Sequence, residues 1–288
     1  MLADLGLLYC AVFWGLSFVT MKILVGVYPA CWLLFLRFSA GSVMLYAFFH
    51  RRINKSFRHE LKGGVIIGFL LFLAITVQTI GLNYIGGGRS AFISATYVLM
   101  VPLMVWGLVK IFPGWVKIFA AVLCVGGMYM LMGEDSAEAS LIGDGLTVLC
   151  AFTFAVQVIA ISIFTRDSDP ITLSFVEFVS FAVFAFAASL LFESRPVLLD
   201  YESLPELLFT IVFATFGCYV MQVCAQKYAD PSHATIIMSL ESVFGLFSSI
   251  IFLWESLTLR AGVGCVLIFV SVMISELEPY IHTSRKRG

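Results

Sequence analysis

The feature that most constrains this chain is a series of apolar stretches, each about as long as a bilayer is thick. A membrane-spanning helix needs about 20 apolar residues. Because 61% of the residues are hydrophobic and only 12% are charged, we predict an all-α polytopic membrane protein whose function resides among its helices. The ten predicted transmembrane helices cover residues 4–24, 30–49, 62–83, 89–110, 115–133, 143–164, 170–192, 205–227, 232–253 and 258–276.

The distribution of lysine and arginine predicts the orientation of these helices. With the N-terminus inside the cell, the inner loops hold twelve Lys and Arg residues and the outer ends hold four. Cytoplasmic loops of membrane proteins carry this excess. We therefore expect both termini to be cytoplasmic and the membrane to be a prokaryotic plasma (inner) membrane. The formal net charge of −1 predicts no nucleic-acid partner.

The two halves of the chain align weakly as an internal repeat. A shift of 144 residues places residues 78–102 over 222–246 and matches Gln78 with Gln222. Each half contains five predicted helices, and because five is odd, the halves would have opposite orientations in the membrane. We predict two inverted five-helix repeats, an architecture in which one half rocks against the other around a midplane site.

A glycine-rich loop precedes the fourth predicted helix. Gly86-Gly87-Gly88-Arg89 could offer free backbone N–H groups to an anion, or it could form a tight reversal between two spans. In the repeat alignment this loop lies over Asp230-Pro231-Ser232-His233, which suits a helix cap. We favour the structural hinge, and a substrate-anion role for Arg89 is the alternative.

Three stretches carry a family resemblance: AVFWGLSFVTMKILVG (11–26), FLRFSAG (35–41) and SLESVFGLFSSIIFLWESLTLRAGVGCVLIFVSVMI (239–274). They resemble the EamA-domain transporters of the drug/metabolite transporter superfamily. The resemblance implies two EamA repeats at residues 1–134 and 140–279, followed by a basic cytoplasmic tail at 280–288. It also implies a central cavity and the transport, often export, of amino acids, other small metabolites, nucleotide sugars or drugs.

One departure from the family concerns proline. Members often carry Glu-Pro where this chain has Glu241-Ser242 and Glu255-Ser256. We therefore expect the corresponding helix irregularity near the midplane to be missing here.

Ionisable side chains inside predicted spans are costly and mark candidate sites. Glu241 lies about nine residues into its predicted span, and its carboxyl group suits a substrate amine, a proton or a structural hydrogen bond. Arg37 and Glu177 occupy matching positions in the two repeats. Arg37 could bind a carboxylate, form an internal ion pair or snorkel, and Glu177 is equally open between site and structure. Lys22 lies near a span end, where snorkelling is the favoured interpretation.

Neutral polar side chains supply the rest of the candidate set. As a group drawn from several helices they could line one cavity, although each could instead connect neighbouring helices. We predict no cofactor and no metal, since the histidines lie at span ends or in loops and the cysteines suit apolar packing. The predicted neutral substrate-binding or coupling residues are Trp14, Ser17, Gln78, Asn83, Tyr97, Gln157 and Gln222.

These observations predict a secondary transporter that exports small metabolites, such as amino acids or their derivatives, by alternating access. Its partners would be the lipid bilayer, a small-molecule substrate and protons as a candidate coupling ion. The sequence contains no Walker motif, and it contains no HExxH or GxSxG motif of a hydrolase, so we do not expect an enzyme. The alternatives are a channel or a lipid-handling protein and, less favoured, an intramembrane enzyme.

Overall fold

The computed structural model describes residues 2–85, 90, 93–110, 112–131, 141–193, 199–253, 259–260, 262–264, 266–271 and 273–274. All regular structure in these residues is helical, as predicted. Further helical residues lie at 262–264 and 266–271. The helices are α1 (Leu2–Leu24), α2 (Ala30–Gly81), α3 (Tyr97–Val109), α4 (Trp115–Leu131), α5 (Leu141–Phe164), α6 (Pro170–Phe192), α7 (Leu204–Gln226), α8 (Pro231–Met238) and α9 (Glu241–Leu253).

Within the described residues, five helices are long and apolar enough to cross a membrane, namely α1, α2, α5, α6 and α7. Shorter apolar helices occupy Ile93–Leu108, Trp115–Gly127 and Gly262–Ser271. The protein is therefore an integral membrane protein, and α6 coincides with the predicted span 170–192. The total of ten helices and the inverted relation of the halves stay predictions.

The helix α2 differs from the prediction because it joins two predicted spans, 30–49 and 62–83. The charged segment between them, HRRINKSFRHELK, continues the helix instead of forming a loop. This segment contains neither Gly nor Pro, the residues that most strongly interrupt a helix. Polarity alone therefore did not make this segment a loop, although the first helical arm of α2 does end at the predicted boundary, at Phe49.

The chain nevertheless reverses direction within α2. The rings of Phe38 and Phe72 both pack against Phe181, with centroid distances of 3.5 and 5.7 Å. A straight helix would separate the two residues by about 50 Å. The residue inside α2 with non-helical backbone angles is Phe49 (φ −129°, ψ 19°). The two arms of α2 therefore lie on the same face of α6.

The predicted span 232–253 is broken in the structure, because α8 ends at Met238 and α9 begins at Glu241. The expectation that the missing proline would remove an irregularity is therefore wrong at this position. At this break the Ser239 hydroxyl donates to the Ile236 carbonyl at 2.5 Å. The Leu240 amide donates to the Ile237 carbonyl at 3.1 Å, a tighter turn than the α-helix makes. Serine can thus loosen a helix without proline.

Glycine permits the closest helix approaches around the interior of the bundle. A Cβ atom on Gly15 in α1 would lie 2.7 Å from the carbonyl oxygen of Glu241 in α9. A Cβ atom on Gly68 in α2 would lie 2.6 Å from the carbonyl oxygen of Glu177 in α6. Small residues bring helix backbones together in this way in membrane proteins. Both contacts hold a candidate acidic residue in place.

Several predictions fall on parts of the chain outside the described residues. These are the hinge at Gly86-Gly87-Gly88-Arg89, the Glu255-Ser256 pair and the basic tail at 280–288.

Candidate functional site

A cavity of about 70 Å³ lies between the helices, bounded by side chains from α1, α2, α3, α5, α7 and α9. This volume suits a few water molecules or a small polar group, and it is well below the roughly 300–1,000 Å³ of pockets for drug-sized ligands. The lining residues are Trp14, Ser17, Phe18, Met21, Arg37, Ile75, Gln78, Thr79, Leu82, Ser94, Tyr97, Cys150, Phe154, Tyr219 and Glu241.

The structure divides the predicted site residues into three groups. Gln157, Glu177 and Gln222 are buried together outside the cavity lining. Asn83 lies on an exposed turn, where its amide donates to the Ile80 carbonyl at 3.3 Å. The predicted residues that line the cavity are Trp14, Ser17, Arg37, Gln78, Tyr97 and Glu241.

Glu241 is the acidic residue of the cavity and is only 7% exposed. It is the first residue of α9, where the helix dipole favours a negative charge. No hydrogen bond reaches its carboxyl group from another described residue. The nearby Tyr97 hydroxyl is buried and likewise has no hydrogen-bond partner in the described part of the chain. Both groups are therefore available to a ligand.

Arg37 is the basic residue of the cavity and is only 4% exposed. Its Nε donates to the Thr215 hydroxyl at 3.0 Å, and its Nη1 lies 2.9 Å from the Met21 sulfur. The ion pairs between described residues do not include Arg37. Its two side-chain contacts are neutral, so they orient the guanidinium group without compensating its charge.

A π-helical segment of α7, Thr210–Gly217, positions two of the cavity side chains. The Trp14 indole donates to the Ala214 carbonyl at 3.0 Å, and Thr215 accepts the hydrogen bond from Arg37. A π-helix makes wider turns than an α-helix and often occurs at functional sites. This segment therefore ties α1 and α2 to α7 beside the cavity.

Aromatic rings form one wall of the cavity. The centroid of the Trp14 ring lies 5.1 Å from that of Tyr219 and 6.1 Å from that of Phe154. Phe154 in turn lies 5.1 Å from Tyr97. Ring pairs at these distances stabilise one another. The wall is thus a rigid apolar surface beside the two charged groups.

Sequence reasoning missed several lining residues, of which Tyr219 is the most informative. It precedes Gln222 by three residues, so helical periodicity places both on one side of α7. Phe154 relates to Gln157 in the same way on α5. These two spacings were visible in the sequence, whereas nothing local indicated Met21 or Thr215 as the neighbours of Arg37.

A second polar feature lies beside the cavity and is called here the Gln–Glu chain, consisting of Gln157, Glu177, Gln222 and Gln226. The Gln157 amide donates to the Glu177 carboxyl group at 3.1 Å, and the Gln222 amide donates to the Gln157 carbonyl oxygen at 3.5 Å. Glu177, Gln157 and Gln222 are fully buried, and Gln226 is 2% exposed. The Gln–Glu chain connects α5, α6 and α7.

Other polar groups close the ends of the bundle. Lys22 is exposed and donates to the Leu82 carbonyl at 2.7 Å, which ties α1 to the end of α2. At the opposite end Arg52 pairs with Asp169, whose side chain caps the start of α6 by accepting from the Thr172 amide. Among the described residues, no group of three or more His, Cys, Asp and Glu side chains could hold a metal ion.

Membrane-length helices around a small cavity lined by a buried arginine and a buried glutamate define an integral membrane protein with an internal polar site. The EamA-like transporter family matches residues 1–133 and 141–277, so the chain belongs to that family. The resemblance found in the sequence is therefore confirmed, and the family indicates a transporter rather than an enzyme.

Individual relatives agree with this assignment. An uncharacterized transporter of Archaeoglobus fulgidus is 32% identical over 278 residues, which is 96% of this chain and 86% of the relative. The uncharacterized transporter YoaV of Bacillus subtilis is 22% identical over 280 residues, or 94% of this chain and 95% of the relative. A solved structure titled only "Crystal structure of protein" has a TM-score of 0.76 at 15% identity and covers 96% of both chains, which shows a shared fold.

Proposed function

We propose that this protein is a secondary transporter that exports small zwitterionic metabolites, with amino acids and their derivatives as the substrate class. One observation carries the proposal: Arg37 and Glu241 line the same small cavity, and neither forms an ion pair with a described residue. An amino acid brings a carboxylate for Arg37 and an ammonium group for Glu241. A single ligand would therefore pair with both groups.

The energetics favour a ligand with both charges. Burying an unpaired charge costs several kcal/mol. A ligand with an ammonium and a carboxylate group stabilises ionised Glu241 and the Arg37 guanidinium together, whereas a ligand with a single charge stabilises only one of them. The guanidinium group can donate two parallel hydrogen bonds to a carboxylate. The aromatic wall of Trp14, Phe154 and Tyr219 would contact the apolar part of the ligand. The cavity volume of about 70 Å³ suits small rather than bulky side chains.

The proposed mechanism is alternating access, with two inverted five-helix repeats moving around the cavity. The membrane would be a prokaryotic plasma membrane with both termini in the cytoplasm, and protons are the candidate coupling ion. The family supports transport, and export is what the resemblance noted in the sequence implies. The break before Glu241 and the π-helical segment beside Arg37 are irregular backbone segments at the cavity, as transporters use at their binding sites.

The test is substrate counterflow in proteoliposomes, which needs no ion gradient. Vesicles loaded with an unlabelled amino acid should take up the labelled form faster than empty vesicles. Analogues that lack either the carboxylate or the amine should compete poorly. Loss of one charge-assisted contact costs about 1.5–3 kcal/mol, so Glu241→Gln and Arg37→Met should each weaken apparent affinity by about 10-fold to 100-fold.

Asn83→Ala is the matched control, because this polar side chain was also predicted for the site but lies on an exposed turn. It should leave counterflow unchanged. Equal competition by the intact amino acid and by the analogues that lack its carboxylate or its amine would contradict the proposed pairing. If no amino acid shows counterflow but another solute shows saturable exchange, the proposed substrate class is refuted and the transporter assignment remains.

A further inference from the structure

The Gln–Glu chain contains buried polar atoms that the fold leaves without partners. Within the described residues, one carboxyl oxygen of Glu177, the carbonyl oxygen of Gln222 and both amide atoms of Gln226 form no hydrogen bond. Buried polar atoms are nearly always paired in native proteins. Four unpaired atoms on neighbouring side chains therefore indicate a ligand, water or proton that the protein alone does not supply.

The Gln–Glu chain extends from the cavity toward the end of the bundle that holds Arg52 and Lys227, called here the basic end. On α7, Tyr219 lines the cavity, Gln222 follows within one turn and Gln226 lies one turn further on. Lys227 then donates to the Ser168 carbonyl at 2.8 Å, next to Asp169. On α6, Glu177 lies eight residues from Asp169, or about 12 Å along the helix. The Gln–Glu chain thus lies between the cavity and the basic end of the bundle.

The surroundings of Glu177 disfavour an ionised carboxylate in this conformation. Its side chain is fully buried, and an isolated buried carboxylate is strongly destabilised unless it is paired or protonated. From α5 it receives the single hydrogen bond of Gln157, whose own carbonyl oxygen accepts from Gln222 of α7, and the phenol of Tyr219 in α7 lies close enough to interact with it electrostatically. From α2, Gly64 and Gly68 pack against the main chain of Glu177, and the charged side chain of Arg37 interacts electrostatically with the same Tyr219 phenol. No basic side chain among the described residues forms an ion pair with Glu177.

We propose that Glu177 is a proton-binding site that couples transport to proton movement, with Gln157, Gln222 and Gln226 as the polar route to the basic end of the bundle. This proposal rests on the proposed function and adds its coupling ion. The proposal assigns separate roles to these residues. Glu241 and Arg37 bind substrate in the cavity, and Glu177, which lies outside the cavity lining, binds the proton.

The proton balance of the cycle is simple. In the conformation described here, Glu177 holds a proton on its otherwise unpaired carboxyl oxygen. When the basic end opens, water reaches the carboxyl group, the O–H bond breaks and the proton enters that solution. The carboxylate is reprotonated from the opposite side in the other conformation. One proton thus moves inward for each substrate molecule that moves outward.

The experiment compares two assays on the same proteoliposomes. Counterflow at equal pH measures exchange without a gradient. Uptake driven by an acidic vesicle interior measures coupling, and a trapped pH-sensitive dye reports proton movement. For one proton per substrate, a gradient of one pH unit supports at most about 10-fold accumulation, because each 1.4 kcal/mol is a factor of ten. Wild type should approach this limit and should alkalinise the vesicle interior.

Glu177→Gln should keep counterflow within about twofold of wild type while losing both accumulation and the dye signal. Glu177→Asp keeps a carboxyl group and should retain coupling. Glu60→Gln is the matched control, because it neutralises another buried acid that lies outside the Gln–Glu chain, and it should remain coupled.

The outcomes separate the two proposals. If wild type lacks counterflow with every amino acid tested, the proposed function fails. If counterflow is present but wild type moves no protons, only the coupling proposal is overturned, whatever the variants do. A folded Glu177→Gln protein that still accumulates substrate also overturns it, as does one that loses counterflow together with accumulation. Should Glu177→Gln not fold, the pH dependence of accumulation is compared between wild type and Glu177→Asp. A shifted pH dependence with counterflow intact supports the proposal, and an identical pH dependence overturns it.

Discussion

The contact between α1 and α9 provides the sharpest test of how packing supports the site. Gly15 follows Trp14 in α1, and its Cα faces the start of α9. A Cβ atom added there would lie 2.6 Å from the Phe244 Cβ, 2.7 Å from the Glu241 carbonyl oxygen and 2.8 Å from the Gly245 amide nitrogen. Ordinary contacts begin at 3.4 Å. Gly15→Ala therefore requires the two helices to separate by about 0.8 Å.

The cost of this separation can be estimated. Overpacking a well-packed interior costs about 1–3 kcal/mol, and the upper part of this range applies because two of the three contacts are backbone atoms that cannot rotate away. Replacing glycine by alanine in a helix returns up to about 1 kcal/mol. We expect a net loss of about 1–2 kcal/mol in stability. Because the displaced backbone carries Glu241, we also expect at least a 10-fold loss of counterflow.

The matched control lies in the same interface. A Cβ atom on Gly245 would meet its nearest neighbours at 3.7 and 3.8 Å, so Gly245→Ala should be tolerated. Thermal unfolding in detergent and counterflow in liposomes measure the two effects. The reasoning is refuted if Gly15→Ala is as stable and active as wild type, or if Gly245→Ala is equally damaging.

Three further predictions concern single contacts. Arg37→Lys keeps the positive charge but removes the planar guanidinium group, which is oriented by its bond to Thr215 and can donate two hydrogen bonds to a carboxylate. The KM for counterflow should therefore rise about 10-fold, and an unchanged KM would exclude bidentate binding of the substrate. Trp14→Phe leaves the buried Ala214 carbonyl without its donor, and unfolding measurements should show a loss of about 1–3 kcal/mol; no loss would show that the bond is dispensable. Burial opposes ionisation of Asp169, but hydrogen bonds from arginine and threonine outweigh it and lower the pKa of Asp169. Its contribution to stability is therefore present above the ordinary pKa of about 4 and is lost as the pH falls through the lowered value. In Asp169→Asn the unfolding temperature should therefore fall less steeply as the pH is lowered than in wild type. An equally steep fall would show that Asp169 does not contribute this pH-dependent stability.

The candidate site was partly predictable because charge inside an apolar span is visible without a structure. Glu241, Arg37 and Glu177 stand out for this reason, and the first two line the cavity. The division of roles between Glu241 and Glu177 was not predictable. Both are acids in predicted spans, and only their packing places one in the cavity and the other in a buried chain of glutamines.

Helix irregularities show a similar limit. The break before Glu241 was expected to disappear with the missing proline, yet the Ser239 hydroxyl bonds the preceding turn and the helix is interrupted. The charged segment 50–62 was expected to be a loop, yet it is helical and begins the second arm of α2 after the kink at Phe49. Propensity describes what each residue tolerates, and tertiary contacts select among the tolerated conformations.

The sequence by itself determined that this protein lies in a membrane as a set of helices and belongs to a transporter family. Apolar length and family motifs are local along the chain, so a reader of the sequence can recover them. The tertiary structure alone decided which polar groups meet. Arg37 bonds Thr215 across 178 positions, and Trp14 bonds Ala214 across 200. Helical periodicity assigns a side chain to a face of its own helix, but only the packing of distant helices decides which charges are paired and which remain available for a ligand.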